Sequence, residues 1–173
     1  MANTYEAIAT VEVGSGGATD IDFTSIPGTY TDLLVYLSGR RTTSGGTDVA
    51  VQFNGDTAGN YSWRMLYGDG ASAVSQNLSS QSSINRVGRI CNSTDTASTF
   101  GSNFIYIPNY TSSNVKSTST DGVSENNATT ALAQIVAGLW SGTAAITSIK
   151  FVINGGGTFA EYSTATLYGI KNS

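Results

Sequence analysis

The sequence predicts an all-β fold, a single antiparallel β-sandwich of jelly-roll type with about 8–10 strands. Three observations predict it. Apolar residues recur at period two over short runs, those runs are bounded by Gly, Asn, Asp and Ser, and helical periodicity is nearly absent. β-Branched and aromatic residues fill the alternating positions, as a pleated, half-buried surface favours.

Taken in order, Ala7, Ala9, Val11 and Val13 share one face of a first strand. Residues 1–20 supply this N-terminal strand or arm. The stretch IDFTSIPGTYTDLLVYLSGR follows, with a corner at Pro27-Gly28. Beyond it Leu33, Val35 and Leu37 face one side of a strand and Leu34 and Tyr36 the other, so the strand is expected to be buried on both faces. Val49, Val51 and Phe53 precede Asn54-Gly55-Asp56, read as a hairpin turn, and Trp63, Met65 and Tyr67 alternate after it. Phe104 to Ile107 form a strand that Pro108 stops, since proline has no amide hydrogen to donate. Ala131, Ala133, Ile135, Ala137 and Leu139 make another alternating set, although their alanine content leaves a helix open there. Ile146 to Asn154 and Thr164 to Ile170 flank the loop Gly155 to Gly157. Residues 69–81 and 111–130, poor in large apolar side chains, are expected to be long surface loops.

The chain has 173 residues and 17.9 kDa, the size of one domain, and residues 1–173 are read as one sandwich. Hydrophobic residues make up 39% and charged residues 12%, and Ser and Thr fill the difference with 23 of each. With a net charge of −4 and a pI near 4.5, the surface offers nucleic acid no electrostatic footprint. No apolar run approaches the roughly 20 residues a membrane helix needs. The N-terminal residues carry no basic segment followed by an apolar stretch, so release into the cytoplasm is expected. Neither nucleic acid nor a membrane is expected as a partner.

The chemistry is bounded by what is missing. With no histidine in the chain there is no Ser–His or Cys–His nucleophile pair and no histidine metal site. The lone Cys91 cannot form an internal disulfide, and nothing beside it in sequence activates its thiol. Twelve acids would permit a two-carboxylate glycosidase, but Asp56, Asp69, Asp95 and Asp121 stand beside Gly, Thr or Asn, where aspartate caps turns. Asn54 to Asn60 resembles the start of a calcium loop, yet Ala58 takes the place of a third ligand and no glutamate closes the site. Gly155 to Gly157 lack the lysine and following helix of a phosphate loop. No enzyme activity, catalytic residue, cofactor or metal is therefore expected.

A binding surface is the remaining prospect. Trp63, Tyr67, Tyr106, Tyr110 and Trp140 are candidates for stacking on sugar rings or on a neighbouring subunit, with the core as the competing location. Arg41, just past the central strand, is a candidate contact in the loop Thr42 to Gly46.

The segments FTSIPGTYTDLLV, NGDTAGNYSWRMLYG, IYIPNYTSSN, SENNATTALAQIVAGLW and EYSTATLYGIKNS together resemble a family of small virion proteins of tailed bacteriophages, including marine and freshwater cyanophages. The resemblance spans about Phe23 to Ser173 and carries no catalytic residues. Trp63 and Met65 depart from the more polar residues expected in the NYSWRMLYG segment.

The resemblance implies a virion structural protein assembled in the host cytoplasm. A capsid decoration or cement protein on the outer head surface is the leading expectation. Its partners would be the major capsid protein or other virion proteins, and further copies of itself, a trimer being suited to three-fold lattice sites. The alternative is a tail fibre, tail tip or head fibre domain that binds a host surface glycan.

Overall fold

The computed structural model describes residues 4–127 and 131–171. Its regular elements are twelve β-strands, paired antiparallel in two sheets: β1 (Tyr5–Glu12), β2 (Asp20–Phe23), β3 (Asp32–Gly39), β4 (Asp48–Phe53), β5 (Tyr61–Gly68), β6 (Ala73–Gln81), β7 (Ile84–Arg89), β8 (Gly101–Ile107), β9 (Lys116–Ser124), β10 (Leu132–Trp140), β11 (Ile149–Ile153) and β12 (Thr164–Ile170). No helix occurs among the described residues, and Leu132–Trp140, where a helix had stayed open, is a strand.

The large sheet runs β1-β12-β3-β8-β9-β10-β5-β6 and the small one β2-β11-β4-β7. Eight of the strands pair in a nested way. The first meets the last (β1 with β12), the second the last but one (β2 with β11), β3 meets β8, and β4 meets β7. Along this set the chain alternates between sheets except at β4 and β7, which pair with each other in the small sheet. Asn54 to Asn60, expected as a hairpin turn, instead carries the chain from β4 in the small sheet to β5 in the large one. The other four strands, β9, β10, β5 and β6, extend the large sheet past β8, and β5, β9 and β10 lie against β7.

Alternation sets the core. Leu33, Val35 and Leu37 of β3, Ile105 and Ile107 of β8, and Ala165 and Leu167 of β12 point inward against Val49, Val51 and Phe53 of β4 and Phe151 of β11, all of them buried. β3 is central, between β12 and β8, as its apolar run foretold. Its second face is only half covered: Leu34 is buried between its cross-strand neighbours Tyr106 and Tyr168, whereas Tyr36 is exposed. At the edge, a register shift between Ala7 and Ala9 interrupts the alternation of β1, and most of that strand is exposed.

Two segments expected as loops are strands. β6 is an exposed edge, so its polar sequence has little surface to bury. β9 is internal, and its inward row is polar: Lys116, Thr118, Thr120 and Ser124 are buried. Lys116 is accommodated because its Nζ donates to the carbonyls of Ser112 (2.8 Å) and Asn114 (2.5 Å) and lies over the Trp140 ring. Burial pushes its pKa down.

Candidate functional site

The aromatic candidates do not converge. Trp63, Tyr110 and Trp140 are all buried in the core. The Trp140 ring stacks on Tyr61 and tilts against Phe53, and its Nε1 donates to the Asp56 carboxylate at 2.7 Å. The Tyr110 hydroxyl donates to the Pro27 carbonyl, which ties the Pro27-Gly28 corner to the loop after β8. Trp63 lies beneath the Arg86 guanidinium. Tyr67 packs partly buried at the end of β5, and Tyr106 donates to Asp32 Oδ2 at 2.8 Å, a bond that raises the Tyr106 pKa. Arg41 turns back on its own loop, donating from Nε to Thr43 Oγ1 (3.1 Å) and from Nη1 to the Gly46 carbonyl (2.7 Å).

The acids are mostly occupied in turns. Asp56 accepts from Ala58 N, Asn60 Nδ2 and Trp140 Nε1, and these bonds lower its pKa, the Trp140 bond most. Asp69 accepts from the backbone of Ser72 and Ala71, which lowers its pKa too. Asp95 accepts from Asn92 N. In the segment that resembled a calcium loop, Asn54 Oδ1 accepts from Thr147 N and Ser148 N, so both it and Asp56 serve the backbone. Asp48 joins Arg86 and Arg89 in a largely buried ion-pair cluster. Cys91 is free and buried. Among the described residues no three of His, Cys, Asp and Glu come together as a metal site would require. Asp121 differs from its expected place in a turn: it lies in the middle of β9 and points outward.

That outward direction marks an open surface of the large sheet. On β9 and β10 burial alternates without a break, so the set Ala133, Ile135, Ala137 and Leu139 is the solvent-facing one, while Gln134, Val136, Gly138 and Trp140 face inward. Inside, Gly138 leaves room for Ile84 and Thr118, so at that position the inner face is filled by neighbouring strands rather than by a side chain of β10. Strand register aligns one outward row across five strands: Leu66, Ile135, Asp121, Phe104 and Tyr36. Ile135 is 58% exposed, Tyr36 51% and Leu66 49%. Phe104 and Tyr168 meet the Tyr36 ring edge to face at 5.4 and 5.9 Å. Between Leu66, Ile135 and Phe104 runs a shallow, open groove of about 460 Å³.

Sequence reading singled out Ile135 and its alternating partners but not the open side on which they lie, and it missed Leu66, Phe104 and Tyr36 as parts of the same surface. Only register brings these together, and register between strands distant in sequence leaves no local signal. The arrangement suits contact with a flat, partly apolar partner. Compared with family models, curated proteins and solved structures, the chain matches none.

Proposed function

We propose that the protein is a non-catalytic structural component of a tailed-phage particle, a decoration or cement protein on the outer surface of the head. It acts through protein contacts and self-association, and needs no cofactor. The observation that carries this reading is the outward face of the large sheet, where a row across five strands, apolar on four of them, forms a broad surface without a cleft that gathers reactive groups. Apolar patches of this kind on a soluble domain mark interaction sites. The nested pairing of β1 to β4 with β12, β11, β8 and β7 supports the jelly-roll reading, and the phage-like segments of the sequence support a place on the particle.

Chemical silence follows from the same reading: incubation with host polysaccharide, esters or peptides leaves them unchanged. The direct test is co-sedimentation of the purified protein with phage heads that lack it. Saturable binding to heads supports the proposal, and failure to bind heads counts against it.

A second reading is favoured by one observation, the exposed Tyr36 ring braced by Phe104 and Tyr168. A braced aromatic of this kind suits stacking on a sugar, as a tail or head fibre domain would use it. Binding of host surface polysaccharide that is lost in Tyr36→Ala would favour this reading.

A further inference from the structure

We propose that the outer face of β9, β10 and β5 is a two-fold self-association surface, on which Arg64 of each copy pairs with Asp121 of the other around an apolar centre formed by Ile135 and Leu66. This goes beyond the assembly role above and does not depend on which particle surface the protein occupies.

The argument begins with charge. Arg86 and Arg89 pair with Asp48, Lys150 with Asp20 and Asp22, and Lys171 with Glu6. Arg40, Arg41 and Lys116 donate to backbone carbonyls. Among the described residues Arg64 is then the one cationic side chain with neither a hydrogen bond nor an ion pair, and the Asp121 carboxylate likewise has none. Both are exposed and both point outward from the large sheet.

Register fixes where they stand. Arg64 lies across from Ala137, which lies across from Ser119, while Leu66, Ile135 and Asp121 form the next outward row. Arg64 and Asp121 are thus opposite corners of a rectangle two strand spacings wide and two residues long, roughly 12 Å apart between backbone positions. Within one copy the two make no direct pair, and Ile135 and Ala137 lie between them.

A two-fold axis lying in the plane of the face, through the centre of the rectangle and perpendicular to its Arg64–Asp121 diagonal, exchanges the two corners. Each Arg64 then stands over the partner copy's Asp121, and both pairs form at once, as an isologous interface requires. Near the same axis each Ile135 meets the hollow that Ala137 leaves beside Leu66 on the facing copy. The two sheets cross steeply, in the orthogonal class of sheet packing. The surface is therefore complementary to itself in both charge and shape.

The test is sedimentation velocity on the purified full chain over a concentration series, with Arg64→Asp, Asp121→Arg and the double reversal. The parent protein sediments as a dimer whose dissociation constant rises with salt, because the pairs lie at the rim of the apolar centre. Each single reversal sets like charges against each other twice and weakens the dimer roughly 100-fold or more. The double reversal restores it. Thermal melting of each variant checks the fold, and rescue by the double variant cannot arise from misfolding. A parent protein that stays monomeric, a trimer, or a dimer indifferent to the single reversals would each overturn the proposal.

Discussion

The carboxamide of Asn103 and the backbone of Arg89 exchange two hydrogen bonds: Asn103 Oδ1 accepts from Arg89 N at 2.6 Å, and Nδ2 donates to Arg89 O at 2.9 Å. A side chain on β8 of the large sheet thereby takes the place of a neighbouring strand for β7 of the small one. The same Nδ2 reaches the Leu37 carbonyl at 3.2 Å. Gly88 and Gly122 stand against the Asn103 side chain, where a larger residue would crowd it.

Asn103→Ala removes this bridge and leaves Arg89 N and O without a partner where water has little access. The expected loss is about 1–3 kcal/mol for each group left unpaired. Asn77→Ala, on the exposed edge strand β6, should stay within about 0.5 kcal/mol of the parent. Chemical denaturation of the two variants checks the contrast.

The central strand carries the second prediction. Leu37→Ala opens a cavity in a row that is fully buried and should cost about 2–5 kcal/mol. Gly101→Ala on the neighbouring strand fails for the opposite reason, because a methyl group there runs into the Arg89 carbonyl oxygen and the Ile90 Cα. Those are backbone atoms, so relief requires β7 to shift, and a loss of about 1–3 kcal/mol or more is expected. Gly16→Ala, with open space around it, is the control for Gly101→Ala, and the three melting temperatures should order accordingly.

The sandwich was legible wherever apolar alternation coincided with a buried face. β3, β4 and β8 each declare themselves by Leu, Val, Ile or Phe at period two, and these are strands whose inner faces meet across the core. β9 was illegible because its buried row is Lys116, Thr118, Thr120, Gly122 and Ser124, polar or small residues that read as a loop. Burial of such a row depends on partners from other elements, such as the carbonyls that hold Lys116, and these have no local trace. β6 hid for a simpler reason, being an edge with two wet faces. The candidate site was half legible: the outward set on β10 stood out, but its sidedness was set by Gly138, Ile84 and Thr118 on three different strands.

Alkaline pH should unfold the protein through Tyr61. Its buried hydroxyl accepts from Phe53 N at 3.0 Å, and burial pushes its pKa up to about 12, against about 10 for an unfolded tyrosine. A raised pKa means the neutral form is favoured in the fold. Its contribution is complete below pH 10 and is lost as pH rises from about 10 to about 12. Melting temperatures across that range should fall more steeply for the parent than for Tyr61→Phe, and equal slopes would refute the assignment.

At the acid end the corresponding group is Asp56. Its pKa is lowered first by the Trp140 bond, then by Asn60 and Ala58, so its charged form is favoured in the fold. That contribution is present above the unfolded value near 4 and is lost as pH falls through the lower folded value. Asp56→Asn should therefore melt below the parent at pH 7, and the gap should narrow below about pH 4. A gap that stays constant to pH 2 would show that the carboxylate charge contributes nothing.

The proposed role on a phage particle is tested most directly by quantitative mass spectrometry of purified virions, with the protein counted against the major head protein. A decoration protein is present in fixed proportion to the head lattice, many times the abundance of any tail component. Absence from purified virions, or abundance matching the tail proteins, would contradict a place on the head surface.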